Sequence, residues 1–434
     1  MPLRPAARRA RSSAYLSGRV RFGIKFGLET MRALCEELQH PERAFEILLV
    51  AGTNGKGSVV AYADAALRAS GLSVGRYTSP HLVRVQERIA VGGRDIGAAA
   101  FETAIERVRG AAARLVRAGM IPAHPTYFEA LTAAALDHFR RARVDAAVLE
   151  VGMGGRLDAT NVADPIASAI VTVEKDHEAF LGSTLAAIAH EKAGVLRRGR
   201  VTVLGRLGPE ARAAVAAEAA ASGARLLDAH DGVLLRDTEA GLEVRTPRHA
   251  YRAVRTLPGA HQRHNAVVAL RLLEEAREAG LPVDLGVAAA ALGATRWPGR
   301  LERVVTKGNP PLLLDGAHNP AAARALAAYL AGAPPFVLLF GAMADKDIEA
   351  MSRILFPLAR AVVLTQAPID RAATPEQVAR RAGPAAGGAK RQADPRRALA
   401  LARRLAPPSG QVVVAGSLYL VGEITRILRT ERRA

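Results

Sequence analysis

The chain has 434 residues, 50% of them hydrophobic, and a formal net charge of +19 at pH 7. That length exceeds one ordinary core and points to two domains, and no apolar run nears the roughly 18–20 residues of a membrane span. A lone cysteine, Cys35, excludes an intrachain disulfide and a cysteine-built metal site, while aromatics at 4% leave the arginines without the interleaved rings of a nucleic-acid surface.

Residues 1–13 carry Arg4, Arg8, Arg9 and Arg11 and no acid, and read as a disordered basic tail. The arginine-rich start runs into Tyr15-Leu16-Ser17-Gly18-Arg19 and not into an apolar segment, which argues against a secretory leader. A strand predicted over Ile47–Val50 then enters Ala51-Gly52-Thr53-Asn54-Gly55-Lys56-Gly57-Ser58, and a helix is predicted over Ser58–Ala69. A strand that turns through glycines into a helix offers several backbone N–H groups to phosphate oxygens. Lys56 adds a positive charge and the Ser58 hydroxyl is a donor for Mg²⁺, so the loop reads as a nucleoside-triphosphate site. Its spacing departs from the ordinary phosphate loop. Gly57 separates the lysine from the hydroxyl residue, and Val50 stands where the first glycine would fall.

Further strands are predicted over Ser73–Tyr77, Ala146–Glu150, Ala167–Val173 and Val201–Leu204. Helices over Ala99–Ala118, Tyr127–Arg140, Leu185–Val195 and Pro209–Ala221 alternate with them. This alternation predicts an α/β fold with a mainly parallel sheet. Residues 232–254 alternate more sharply and read as a small antiparallel insertion, and a helix follows over Gln262–Glu278. Pro298-Gly299 then breaks the pattern. Strands over Leu312–Asp315, Phe336–Phe340, Ala361–Thr365 and Gln411–Ala415 restart it as a smaller, Rossmann-like α/β domain. The expected division is a tail at 1–13, a phosphate-loop domain at 14–297 and a second domain at 298–434.

Glu150 ends its strand and is followed by Val151-Gly152-Met153-Gly154-Gly155-Arg156-Leu157-Asp158-Ala159-Thr160-Asn161. Carboxyl ends of parallel strands line the ligand crevice, so Glu150 is placed to reach a Mg²⁺ held at the loop. The string EVGMGGRLDATN, with GTNGKGS before it, resembles the folylpolyglutamate synthase and dihydrofolate synthase family of the Mur ligase superfamily. Other segments resemble the same family in order: Ser79-Pro80-His81-Leu82, Thr126-Tyr127-Phe128-Glu129, Asp176-His177 with Leu181-Gly182, and His190-Glu191-Lys192-Ala193-Gly194. Gly259-Ala260-His261-Gln262 with Asn265, Pro298-Gly299-Arg300-Leu301-Glu302 and Asp315-Gly316-Ala317-His318-Asn319-Pro320 complete the set. One departure is the charged pair Glu174-Lys175 immediately before Asp176-His177.

The resemblance implies a Mur-ligase-like ATP-binding domain followed by a glutamate-ligase domain. It implies an ATP-dependent ligase of folate biosynthesis that adds L-glutamate to dihydropteroate, to folates, or to both, through an acyl phosphate. ATP contacts are expected from Thr53, Asn54, Gly55, Lys56, Gly57, Ser58, Asn265, Arg300 and Asp315. Two Mg²⁺ ions are expected at Ser58, Ser79, Glu150 and His177. Thr126, Tyr127, Phe128, Glu129, Leu157, Asp158 and Ala159 are expected to hold the pterin-bearing substrate. The catalytic set is Lys56, Lys192 and His318, with Lys192 carboxylated. The expected partners are small molecules only, with no nucleic acid and no membrane, for a cytoplasmic monomer.

Overall fold

The computed structural model describes residues 14–16, 18 and 27–432; the predicted tail at 1–13 lies outside them. The chain forms two compact units. The first takes in the described residues as far as His81, then Gln86–Thr256 and His264–Thr295; the second takes in Leu82–Val85, Leu257–Arg263 and the residues from Arg296 on.

The first unit is organised by β1 (Glu46–Ala51), in which Leu48, Leu49 and Val50 are fully buried. A strand buried on both faces must be apolar throughout, and Ile-Leu-Leu-Val meets that demand. β1 lies in the middle of an eight-stranded sheet of order β4-β3-β2-β5-β1-β6-β7-β8. The other strands are β2 (Val74–Tyr77), β3 (Ile89–Val91), β4 (Arg94–Asp95), β5 (Ala146–Glu150), β6 (Ala167–Thr172), β7 (Val201–Arg206) and β8 (Arg225–Asp228). β2, β5, β1, β6, β7 and β8 run parallel, and β3 and β4 add antiparallel at one edge. Helices α1 (Glu29–Glu37), α2 (Lys56–Ala69), α3 (Ala98–Arg117), α4 (Tyr127–Ala142), α5 (Glu178–Leu181), α6 (Leu185–Ala193) and α7 (Pro209–Ser222) connect or flank them. A separate three-stranded antiparallel sheet, β9 (Leu234–Thr238), β10 (Gly241–Arg245) and β11 (Ala250–Val254), occupies the stretch predicted as an insertion. Helices α8 (Ala260–Glu278) and α9 (Leu285–Ala291) follow.

The second unit holds a six-stranded sheet of order β12-β13-β17-β14-β15-β16. Its strands are β12 (Glu302–Val304), β13 (Leu312–Leu314), β14 (Phe336–Phe340), β15 (Ala361–Leu364), β16 (Lys390–Arg391) and β17 (Gln411–Ala415), parallel except for β12. Helices α10 (Pro320–Leu330), α11 (Ile348–Leu355), α12 (Pro375–Ala382), α13 (Pro395–Leu405) and α14 (Leu418–Glu431) complete it. The fold class read from the sequence holds in both units. The short strands β3, β4, β12 and β16, and the edge strand β8, were not anticipated, because two to four residues are too short to show a clear hydrophobic period. Among the described residues, no helix is long and apolar enough to cross a membrane.

Candidate active site

The phosphate-loop segment leaves β1 through two glycines in the left-handed half of φ, Gly52 at 144° and Gly55 at 84°, and Gly55 caps α2. A Cβ on Gly55 would stand 2.6 Å from Asn265 Oδ1 and 2.8 Å from Val171 Cγ1. Glycine is required there on both counts, and the close approach shows where α8 delivers Asn265, 210 residues on in sequence. Lys56 begins α2, and its ammonium donates to the carbonyls of Gly52 at 2.9 Å and Thr53 at 3.2 Å, which holds the charge over the loop. Ser58 is buried in the first helical turn.

Strand register places the acidic residue. β1 pairs with β5 so that Val50 lies opposite Glu150, and β2 pairs with β5 so that Tyr77 lies opposite Leu149. Ser79 therefore emerges next to Glu150, and its backbone N–H donates to Glu150 Oε2 at 3.1 Å. On the other side of β1, β6 leads to Asp176 and His177. His177 has φ of 54°, unusual for a residue with a side chain, and its N–H donates to Asp176 Oδ1 at 2.9 Å. A strained residue of this kind persists where the surrounding structure over-determines it, commonly at functional sites. Of the charged pair Glu174-Lys175, Lys175 pairs outward. Lys175 lies 3.8 Å from Glu178, with both side chains exposed.

Among the described residues, no three His, Cys, Asp or Glu side chains converge into a metal cage. The proposed donors are one carboxylate, two hydroxyls and one imidazole. That sparse, mostly hard-oxygen set fits an ion such as Mg²⁺, which keeps waters and takes phosphate oxygens as ligands.

Lys192 is the most perturbed cation near the loop. It lies on α6 with only 3% of its surface exposed. Burial, reinforced by the nearby charge of Lys56 and opposed by Asp176 and Asp158, pushes its amine down from 10.5 to about 7. Two glycines make this burial possible. A Cβ on Gly155 would stand 2.8 Å from the Lys192 carbonyl oxygen, and one on Gly194 would stand 2.2 Å from Arg156 Cα. The glycine-rich loop thus lies flat on the end of α6. Arg156 N–H donates to the Glu191 carbonyl at 2.8 Å, and Asn161 Nδ2 donates to the Gly194 carbonyl at 2.9 Å. Arg156 also reaches Glu218 on α7 at 2.6 Å, where His190 joins at 3.0 Å. Gly194→Ala is expected to force loop and helix apart, costing about 1–3 kcal/mol of stability in urea unfolding and lowering the reaction rate more than the stability loss explains.

The segments expected to hold substrate divide in two. Thr126 and Glu129 form a reciprocal cap on α4: Thr126 Oγ1 accepts from Glu129 N–H at 3.2 Å, and Glu129 Oε2 accepts from Thr126 N–H at 2.7 Å. The Asp158 carboxylate accepts from Met153 N–H at 2.9 Å, from Thr160 N–H at 3.0 Å and from the Thr160 hydroxyl at 2.6 Å, and burial raises its pKa. These three side chains thus hold local backbone in place. Thr126, Tyr127 and Phe128 are half-buried and Leu157 is exposed, whereas Glu129 and Asp158 are buried. The Arg88 guanidinium lies over the Tyr127 ring at 5.5 Å, and a Cβ on Gly152 would stand 2.5 Å from the Phe128 ring. Leu157 is 37% exposed, whereas Ala159 is buried. His81 accepts from Arg88 Nε at 3.0 Å. Its pKa is pushed down to about 4 by burial and by that arginine, so its ring is neutral at physiological pH.

In the second unit, Asp315 is buried and accepts from Leu301 N–H at 2.9 Å and Ala317 N–H at 3.0 Å. Burial raises its pKa, with Arg300 acting in the opposite sense. A Cβ on Gly316 would stand 2.8 Å from Arg300 Nη1, so Gly316 makes room for that guanidinium. His318 Nδ1 lies 2.8 Å from the Gly316 carbonyl and donates to it, which fixes the ring's tautomer. Asp315 thereby shapes the turn that displays Arg300 and His318.

The family described as the Mur ligase, glutamate ligase domain matches residues 299–418. A probable bifunctional folylpolyglutamate synthase/dihydropteroate synthase of Haloferax volcanii is 39% identical over 93% of this chain and 48% of its own length. The chain spans about half the length of that relative and of its Halobacterium salinarum counterpart. The Bacillus subtilis dihydrofolate synthase/folylpolyglutamate synthase is 33% identical over 80% of this chain and 83% of its own length. Solved structures agree over nearly the whole chain. Mycobacterium tuberculosis folylpolyglutamate synthase complexed with ADP has a TM-score of 0.90 at 32% identity, covering 98% of this chain and 99% of that one. E. coli FolC in complex with DHPP and ADP has a TM-score of 0.88 at 28% identity, covering 99% and 100%. The bifunctional enzyme of Yersinia pestis complexed with AMPPNP and Mn ion has a TM-score of 0.84 at 31% identity, covering 99% and 100%.

Proposed function

Because this chain belongs to the folylpolyglutamate synthase/dihydrofolate synthase family of the Mur ligase superfamily, we propose that it is an ATP-dependent ligase that joins L-glutamate to dihydropteroate, to folates, or to both. The observation that carries this reading is the meeting of three elements at the carboxyl ends of β2, β5, β1 and β6. They are the glycine loop with Lys56, the Ser79–Glu150 contact, and a buried Lys192 whose amine is pushed down to about 7.

The chemistry accounts for each part. A carboxylate is a poor electrophile, so the acceptor carboxylate attacks the γ-phosphorus of ATP and becomes an acyl phosphate, with ADP leaving. The glutamate amine then attacks that carbonyl, phosphate leaves, and an amide bond forms. Both reactants of the first step are anions, so positioning and positive charge do most of the catalysis. Lys56 and the N–H groups from Gly55 to Ser58 hold the β and γ phosphates. To do so, the Lys56 ammonium exchanges its loop carbonyls for phosphate oxygens. Ser58 and Glu150 are proposed to hold one Mg²⁺, and Ser79, Glu150 and His177 a second. Bound there, the metals would supply positive charge to offset the negative charge of the transferring phosphoryl group.

Lys192 is proposed to carry a carboxylate. Its neutral amine adds to CO₂, forming an N–C bond and releasing one proton to give a carbamate. At a pKa of about 7, about half of the amine is neutral at pH 7, against roughly 0.03% at the ordinary lysine value. The product is an anion where an ammonium would repel Lys56 and any metal. Asn265 and Arg300 are proposed for the nucleotide, with Asp315 acting through the turn it organises and His318 at the phosphates. Thr126, Tyr127, Phe128, Glu129, Leu157, Asp158 and Ala159 are proposed to hold the pterin-bearing acceptor.

The test is ADP release in the presence of glutamate, comparing dihydropteroate with tetrahydrofolate as acceptor. Glutamate-dependent turnover with at least one of them is expected, and its absence with both sinks the reading. Lys56→Ala is expected to abolish turnover while leaving the thermal melting curve near that of the parent, since its ammonium donates to carbonyls of the loop, at Gly52 and Thr53. A variant that retains a near-parental rate would remove the phosphate-loop assignment.

A further inference from the structure

Between the phosphate loop and the segment leading to Asp176-His177 runs a reciprocal set of hydrogen bonds. The Thr172 hydroxyl accepts from Asn54 N–H at 2.9 Å and donates to the Asn54 carbonyl at 3.1 Å. From the other side, the Thr53 hydroxyl accepts from Glu174 N–H at 3.0 Å and donates to the Glu174 carbonyl at 3.1 Å. Between them, Thr53 N–H donates to the Thr172 carbonyl at 2.8 Å. Each threonine side chain therefore satisfies both backbone groups of a residue on the opposite segment.

This pairing continues the β1–β6 ladder by side-chain means beyond its last backbone register pair, Ala51 with Ile170. The regular register ends there, because the loop turns at Gly52 to present its N–H groups, and only the single backbone bond from Thr53 N–H to the Thr172 carbonyl carries past it among those described. A Cβ on Gly52 would lie 3.1 Å from Thr172 N, so the two segments are also in backbone contact. We propose that Thr172 is a positioning residue for the ligase reaction. Together with Thr53, it locks the phosphate-binding turn to the segment carrying His177, so that phosphate and metal ligands are held in one geometry.

Two consequences follow from the atoms involved. Thr53 works through its hydroxyl as a brace, so its contribution to nucleotide binding is made through the loop's position. Glu174 is engaged by its backbone alone in these bonds, so the charged side chain at that position is compatible with the brace. The proposal rests on the ligase reading above, and the wild-type protein tests that reading separately.

The experiment compares Thr172→Val, Thr53→Val, the double variant and Thr172→Ser. Each is assayed for ATP-dependent glutamate ligation and, independently of ligation, for the rise in melting temperature produced by ADP with Mg²⁺. Valine keeps the shape and removes the hydroxyl. Thr172→Val is expected to lower kcat/KM for ATP by roughly thirtyfold to a hundredfold, the scale of a misplaced catalytic group, and to shrink the ADP-dependent rise. Its melting temperature without nucleotide should stay within a few degrees of the parent. Thr172→Ser should recover to within about threefold. Because the two hydroxyls brace the same segments, the double variant should lose little more than the worse single one. A Thr172→Val protein within about twofold of wild type in both readouts would overturn the proposal, and so would strictly additive losses in the double variant. A wild-type chain that binds ADP but ligates nothing would instead refute the ligase reading.

Discussion

Lys192→Ala is expected to reduce ligation by about a thousandfold or more, equivalent to roughly 4 kcal/mol of transition-state stabilisation. Short carboxylic acids such as acetate are expected to restore part of the rate by occupying the vacated space and returning an anion beside Lys56. The pH dependence has a defined sign. The folded-state pKa of about 7 lies below the ordinary 10.5. Between those values the unfolded chain binds more protons, so the stability of the uncarbamylated protein rises with pH across that window, and the burial cost is fully present below pH 7. Lys192→Met, apolar and of similar length, should therefore be inactive yet melt no lower than the parent at pH 6. Carbamate content, read by ¹³CO₂ labelling and NMR, should rise from pH 6 to 8. A fully active Lys192→Ala, or an unlabelled lysine in an active preparation, would refute the assignment.

Glu150→Gln is expected to cut kcat by about 10³-fold, again about 4 kcal/mol, because it removes a negative charge at nearly constant size from the proposed metal site. The backbone should survive the change, since the amide oxygen still accepts from Ser79 N–H. The loss should therefore appear as a raised Mg²⁺ requirement in the rate, with an unchanged denaturation midpoint. A variant slowed only about twofold would identify Glu150 as an ordinary strand end.

Much of this architecture is legible from residues alone. Runs such as Ile47–Val50 and Gln411–Ala415 announce buried parallel strands because nothing polar interrupts them. Glycines in GTNGKGS and EVGMGGRLDATN mark places where backbone must come close. What the string of letters conceals is the use each side chain makes of its neighbours. Lys192 follows His190-Glu191 in a pattern that suits a solvated helix, yet Gly155 and Gly194 admit a loop that covers it. Thr126 and Glu129 form a reciprocal helix cap that the sequence reading did not anticipate. The carboxylates of Asp158 and Asp315 likewise accept from backbone N–H groups of nearby turns, which the letters alone do not show. Thr172 carries no signal at all, because its role depends on Asn54 lying opposite, 118 residues away.

The central place of β1 has a bearing on how the first unit can be opened or rebuilt. A strand paired on both sides and fully buried over Leu48–Val50 releases its amides to solvent exchange only when the whole unit unfolds. The β9–β10–β11 sheet is the opposite extreme: β9 is largely exposed, with Leu234 at 67%, and Glu239 and Ala240 form an exposed turn between β9 and β10. Deuterium should enter that hairpin long before it enters β1. The same contrast makes the turn at Glu239-Ala240 the natural point at which to splice in an affinity tag or a fluorescent reporter, leaving the strand that roots the phosphate loop undisturbed.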